Sequence, residues 1–283
     1  MTTNSEYFPT ESPRLFGIHH PPVERRDGEA ASCVKSVLVC PPIGHEYLRT
    51  HWSLRVIAKR LARQGCHVFR FDYRGIGDSI GEPQDVVSIE EWASDVSMAV
   101  DKLKSVSGAE TVMLMGLRTG AMIAAEAARS RRDISSIVAW EPVLDGRVYL
   151  RALRSMHQKM IDYWYRVVPT DRLATSEELL GTCYRRELLV EIEAWEFDLG
   201  TLEIPQLVVL PAQSESSMPT AAPTWQKRLL VDDDPSWDRL GEMELSWRRP
   251  RTSQKIVELI DDMFVRLQQR HMLSGEALSG GGE

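Results

Sequence analysis

Strand-like and helix-like segments alternate along most of this chain, and that alternation restricts its fold more than any other feature. Parallel strands need a crossover between them, normally a helix, so the pattern builds a mostly parallel sheet covered by helices on both faces. Val34 to Cys40 is an apolar-rich strand stopped by Pro41-Pro42, because proline cannot continue a ladder. Leu54, Ile57, Ala58 and Leu61 fall at i, i+3, i+4 and i+7, one helical stripe, and Gly65 ends that helix. His67 to Asp72 is the next strand, followed by a helix with Ile89, Trp92, Ala93, Val96, Val100 and Leu103 on one face. Glu90 and Glu91 suit its first turn. Thr111 to Met115 then runs through Gly116-Leu117-Arg118-Thr119-Gly120 into the alanine-rich Ala121 to Ala128, a strand, tight turn and helix in succession. Ile134 to Trp140 is a further strand, closed by Glu141-Pro142.

Between Gly146 and about Gly200 no strand is evident, and Leu150, Leu153, Met156, Met160 and Trp164, then Leu179, Leu180, Leu188 and Ile192, predict an inserted helical cap. Strands resume at Gln206 to Leu210 and Lys227 to Val231, before a last helix carrying Ile256, Leu259, Ile260, Met263, Phe264 and Leu267. The expected organisation is a core of residues 1–145 and 201–272, a helical cap over 146–200 and a disordered tail over 273–283. His19 and His20 sit in what reads as an N-terminal hairpin, and two adjacent histidines are poor evidence for a metal. No metal and no cofactor are expected.

At 283 residues the chain can bury a sizeable core without staples. Its net charge of −7 repels phosphate backbones, which argues against nucleic acid as a partner. No apolar run approaches the roughly 18 residues of a membrane span, so no membrane partner is expected. Met1 to Glu11 is polar and lacks the pattern of a secretory signal, which makes the cytoplasm the expected compartment. Cys33, Cys40, Cys66 and Cys183 lack metal-ligand spacing and read as reduced thiols.

Three segments carry a resemblance. Val37 to Gly44, the run Phe71-Asp72-Tyr73-Arg74-Gly75-Ile76-Gly77-Asp78-Ser79, and Gly116-Leu117-Arg118-Thr119-Gly120 are together similar to the α/β-hydrolase fold, in order and in topology. Pro41 to Glu46, Gly116 to Ala121 and Trp140 to Arg147 further resemble the exosortase-associated hydrolase 2 group of biosynthetic gene clusters. The resemblance implies a mostly parallel sheet with an inserted helical cap, and turn-stabilising bonds with an Asp72 to Arg74 network in the second motif. His45, His51, Asp72 and Asp78 each also have a plain structural reading, as loop, helix-start or turn residues.

The departure from the family pattern lies at the elbow, where G-x-S-x-G needs a hydroxyl and this chain has Arg118. A guanidinium stays protonated and has no lone pair with which to attack a carbonyl. The resemblance places the catalytic histidine near Leu245 to Pro250, where there is none, and His271 follows the final helix. After the strand ending at Leu210, where the family's acid belongs, stand Gln213 and Glu215. The elbow would point Arg118 into a pocket between sheet and cap, and a buried guanidinium needs carboxylates, for which Glu46, Glu141 and Asp145 are the candidates. The catalytic set is therefore Arg118, Glu46, Glu141 and His45, with Ile43, Gly44, Thr119, Asp145 and Arg147 as substrate-binding residues.

Two functions remain open. One is an enzyme without the Ser-His-Asp triad, acting by acid-base or electrostatic catalysis on an acyl, ester or thioester intermediate, by elimination, cyclisation or acyl transfer. Its substrate would be a small molecule or a carrier-tethered acyl group. The other is a catalytically dead hydrolase that binds a ligand or assists a partner enzyme. The sequence leaves the oligomeric state open.

Overall fold

In a computed structural model, residues 3–9, 12–23, 34–164, 176–196, 198–212, 226–231 and 250–279 are described, with side chains of the last segment to residue 269. The alternation expected from sequence resolves into β3 (Ser36–Cys40), α1 (Gly44–Arg63), β4 (His67–Phe71), α2 (Ile89–Ser107), β5 (Val112–Leu117), α3 (Thr119–Arg129) and β6 (Ile134–Trp140). Ahead of these come β1 (Asn4–Phe8) and β2 (Leu15–His20), and beyond them α4 (Gly146–Trp164), β7 (Ser176–Leu179), β8 (Thr182–Arg185), α5 (Arg186–Glu193), β9 (Gln206–Pro211), β10 (Gln226–Val231) and α6 (Pro250–Ser279).

Eight strands form one sheet in the order β1-β2-β4-β3-β5-β6-β9-β10. From β4 to β10 all pairings are parallel, and the β1–β2 hairpin joins β4 antiparallel. This is the α/β-hydrolase fold. All residues of β3, β5 and β9 are buried, as expected for central strands covered on both faces.

One apolar cluster lies between the sheet and α2, α3 and the segment after β6, with Trp92, Ile123 and Leu188 at its heart. The other packs Leu54, Ile57 and Leu61 of α1 and Ile256 and Ile260 of α6 on the opposite face. Each such aliphatic side chain, fully buried, contributes about 1.5–3 kcal/mol relative to leaving it in water.

Three expectations change. The segment over 146–200 is not wholly helical, because β7 and β8 pair antiparallel across Leu180-Gly181, both at positive φ (53° and 85°). That is the backbone twist a two-residue hairpin demands, and strands of four residues leave little periodic signal. The tail expected over 273–283 is helical as far as Ser279, since Met272, Leu273, Glu276, Ala277 and Leu278 favour helix more than Gly275 among them opposes it. His271 therefore lies on α6 and not after it, while residues 280–283 fall outside the described set. Finally, His51 does not open a helix, because α1 begins at Gly44 and places it mid-helix and exposed.

Candidate functional site

Strand β5 delivers the chain to Arg118, whose backbone (φ 54°, ψ −123°) turns sharply before α3 begins at Thr119. A non-glycine residue in that region stores about 1–3 kcal/mol of strain. The turn is held by the bond from Arg118 N–H to the Trp140 carbonyl at 3.0 Å. Its flanking glycines are needed for close approach: a Cβ on Gly116 would strike the backbone of Ala121, and one on Gly120 the carbonyls of Cys40 and Pro41. One strand over, Glu141 at the end of β6 also has positive φ (46°), and its N–H donates to the Val209 carbonyl at 2.7 Å. Two strained, charged residues thus stand on adjacent strand ends.

The Arg118 side chain runs back toward α1. Its Nε donates to Glu46 Oε1 at 3.1 Å, and its Nη1 to the Glu141 carbonyl at 3.4 Å. The guanidinium carbon lies 5.9 Å from the ring centre of Tyr149 on α4. Glu46 is 1% exposed, and Oε2, its other oxygen, has no hydrogen-bond partner among the described residues. Burial pushes its carboxyl above the ordinary value; the Arg118 charge opposes that, and Glu141 adds to it. Glu141 is buried too, its Oε1 accepting from the Trp140 indole N–H at 3.3 Å. His45 is buried, with Nε2 unpartnered among the described residues, and burial, aided by the charges of Arg49 and Arg118, lowers its pKa to about 4. At neutral pH it is an uncharged imidazole.

Ile43 and Thr119 meet directly: the Ile43 N–H donates to Thr119 Oγ1 at 3.0 Å. Gly44 takes φ 61° and lies beneath the Tyr184 hydroxyl of β8, which a Cβ there would strike. The candidates Arg118, Glu46, Glu141, Ile43, Gly44 and Thr119 thus meet around the ends of β3, β5 and β6. Asp145 and Arg147 do not join them. Asp145 is exposed and its Oδ1 accepts from Val148 N–H at 2.9 Å, closing the first turn of α4, while Arg147 is exposed on the same turn. The Asp145 carboxylate is thus engaged at the helix start.

Sequence reasoning missed Tyr149 and Tyr184. The Tyr149 hydroxyl is buried without a partner among the described residues, and burial raises the pKa of both phenols. Tyr149 stands four residues before Leu153 and seven before Met156, within the apolar stripe of α4, and that register was its signal. The D-x-R-G loop also differs from expectation. Arg74 does not bond Asp72 but clamps Asp95 on α2, through its backbone N–H at 2.8 Å, Nε at 2.9 Å and Nη2 at 2.6 Å. Asp72 accepts from the Tyr47 hydroxyl at 2.7 Å and the Asp78 N–H at 3.1 Å. Both guanidinium bonds fall on Asp95 Oδ1 and the backbone bond on Oδ2, whereas Asp72 is already engaged at both oxygens.

Gln213, Glu215 and residues 245–249 lie outside the described residues, so the positions expected for a family acid and base are not described. Among the described residues no group of three His, Cys, Asp or Glu is arranged to hold a metal, and no helix is long and apolar enough to cross a membrane.

Comparison with known proteins places this geometry in context. A family model described as "Serine aminopeptidase, S33" matches residues 37–193. An α/β hydrolase domain-containing protein, aho-3, of Caenorhabditis elegans is 32% identical over 83 residues, a match covering 29% of this chain and 24% of that protein. Among solved structures, the α/β hydrolase GrgF from Penicillium sp. sh18 superposes with a TM-score of 0.62 at 16% identity, covering 93% of this chain and 98% of that one. The bottromycin epimerase BotH, solved in complex with bottromycin A2, gives 0.57 at 14% identity, covering 92% and 100%.

Proposed function

This chain belongs to the serine aminopeptidase, S33 family of α/β-hydrolase-fold proteins, and from that premise we propose that it is an enzyme of the fold that works without a serine nucleophile. In this reading Arg118 occupies the position at which the fold presents its nucleophile, and no acyl-enzyme forms. Arg118 polarises the carbonyl or holds the developing oxyanion of an acyl, ester or thioester substrate, while Glu46 takes or returns a proton. Elimination, cyclisation or acyl transfer on a small-molecule or carrier-tethered acyl intermediate fits such a pair. The resemblance of Pro41 to Glu46, Gly116 to Ala121 and Trp140 to Arg147 to the exosortase-associated hydrolase 2 group suits a place in a biosynthetic pathway, in the cytoplasm. The bottromycin epimerase illustrates that this fold admits reactions other than hydrolysis.

The observation that carries the reading is the ion pair of Arg118 with a carboxylate, Glu46, that is 1% exposed, shifted upward and unpartnered at one oxygen. A carboxyl held above its ordinary range exchanges protons nearer neutral pH, as general acid-base work requires. A second observation favours the absence of covalent chemistry. The Ile43 amide, where the fold takes one of its two oxyanion donors, already gives its hydrogen to Thr119 Oγ1. His45, neutral at pH 7, is a secondary proton carrier within the same cluster.

The test has two arms. Fluorophosphonate probes should leave the protein unlabelled, and a nitrophenyl ester should turn over no faster than background. Acyl thioesters screened by mass spectrometry should be converted by the wild type, abolished by Arg118→Ala and slowed about 10²- to 10⁴-fold by Glu46→Gln. Stoichiometric labelling of a serine would return the chain to covalent hydrolases. Tight binding of a thioester without conversion would instead support a catalytically dead hydrolase acting as an accessory protein, a role that the grip on Arg118 by Glu46, the Glu141 carbonyl and Tyr149 would also serve.

A further inference from the structure

Helix α1 presents one side to the core and another on which Leu48, Trp52, Arg55 and Arg63 are exposed and Lys59 is half-buried. Its buried side is the stripe of Leu54, Ile57, Ala58 and Leu61. On the opposite side, Leu48, Trp52, Arg55, Lys59 and Arg63 follow at intervals of four, three, four and four residues, so they line up along one ridge. Leu48 is 77% exposed and Trp52 66%, both unusual for side chains of that size. Arg49 and Arg60 flank the ridge, which makes Arg49, Arg55, Lys59, Arg60 and Arg63 the basic residues of a helix whose one acidic residue, Glu46, is buried against Arg118. None of Arg49, Arg55, Lys59 and Arg63 appears in an ion pair among the described residues. The Arg55 guanidinium stacks over the Trp52 ring, 5.5 Å from its centre. All this occurs in a chain of net charge −7, so the charge is segregated and not merely abundant.

We propose that this ridge of α1 is a docking surface for an anionic lipid surface. The chemistry on the page selects that occupant. A continuous run of cations is complementary to a sheet of negative headgroups, and an exposed Trp and Leu at one end suit the boundary between headgroup and acyl chain. The ridge is convex, the outer side of a helix backed by the core, and so matches a broad surface better than a shaped partner that must insert an anchor. Lys59, of a residue type that protein interfaces disfavour, is the fourth of its five residues. No span is needed, so the want of a membrane-crossing helix does not bear on it. Docking here would also set the N-terminus of α1, from which Glu46 reaches Arg118, close to the membrane plane. The proposal does not depend on the chemistry at Arg118.

The experiment uses the full chain with large vesicles of phosphatidylcholine, alone or with about a third phosphatidylserine. Co-sedimentation should occur with the anionic vesicles and fade as salt is raised. Tryptophan emission should shift to the blue on binding, and Trp52→Phe should lose most of that shift. The triple variant Arg55→Glu, Lys59→Glu, Arg63→Glu should bind at least about 10²-fold more weakly, each basic residue near a charged surface being worth about fivefold. Far-UV circular dichroism and thermal unfolding would show that it remains folded. Equal sedimentation of the wild type with both vesicle types, or undiminished binding by the triple variant, overturns the proposal. So does indifference to vesicles coupled with ridge-dependent binding of polyglutamate, which would make the ridge a site for an acidic protein.

Discussion

Two buried ionic networks of this protein differ in how completely they are satisfied. Around Asp95 and Asp72 every carboxylate oxygen meets a donor: both oxygens of Asp95 are held by Arg74, and those of Asp72 by Tyr47 and Asp78. Around Glu46 one oxygen is paired and the other is an orphan, with the Tyr149 hydroxyl and His45 Nε2 orphaned nearby. Burial raises the carboxyls of Asp95 and Glu46 alike, so a shifted pKa does not separate the two networks. The carboxylate oxygens do, although a hydroxyl near each, Tyr73 by Asp95 and Tyr149 by Glu46, is on its own among the described residues. A closed set of carboxylate bonds fixes a loop, whereas a buried carboxylate oxygen without a donor costs stability.

The widest gap should be seen in the cost of removing each arginine. Arg74→Leu strands an Asp95 carboxylate whose side chain is 0% exposed and should cost about 3–5 kcal/mol in urea unfolding. Arg118→Met should cost less, about 1–3 kcal/mol, because the Glu46 network is already incomplete and its carboxyl can take up a proton. An equal or larger cost at Arg118 would break the comparison by making the elbow pair a structural brace.

A pH series sharpens it. With its folded value raised, Glu46 binds protons more tightly in the native state than in the unfolded chain, so its contribution is present at low pH and is lost as pH rises through the raised value. Relative to Glu46→Gln, the wild type should lose stability as pH climbs above the ordinary 4.5, levelling once the folded value is passed. Parallel stability curves for the two proteins would contradict this.

The smallest effect concerns two histidines that burial lowers to about 4. His20 accepts from Arg70 Nε at 3.1 Å, and His45 Nε2 has no partner. His20→Leu, which leaves buried Arg70 without that acceptor, should cost about 1–3 kcal/mol, while His45→Leu should cost under about 1 kcal/mol at pH 7. Both neutral imidazoles stabilise above the unfolded value of 6.5, and that stability is lost as pH falls toward 4, so either substitution should flatten the acid limb of thermal unfolding.

The order of strands and helices was legible because central strands and one-sided helices must repeat at fixed periods, as β3, β5 and α1 do. The hairpin of β7 and β8 was not, since strands of four residues carry no period and the turn depends on a positive φ at Leu180 that no residue-type rule announces. At the site, the need of Arg118 for a carboxylate among Glu46, Glu141 and Asp145 followed from charge and topology, and the structure supplies Glu46. The site's lining by Tyr149 and Tyr184 did not, because Tyr149, an aromatic residue in an apolar stripe, looks like core until its hydroxyl is found buried without a partner among the described residues, and Tyr184 stands on a strand of four residues that carries no period. The choice of Asp95 over Asp72 by Arg74 was equally hidden: it is settled by which carboxylate has both oxygens to offer.

The bond between Ile43 N–H and Thr119 Oγ1 bears on protein engineering. A designer wishing to build an esterase on this scaffold would place serine at 118 and a histidine opposite it. The new tetrahedral adduct would still find one amide already committed to a threonine, worth about 10²- to 10³-fold in turnover if it stays so. Thr119→Ala, a change beside the elbow and not at it, would therefore be the first mutation in the library.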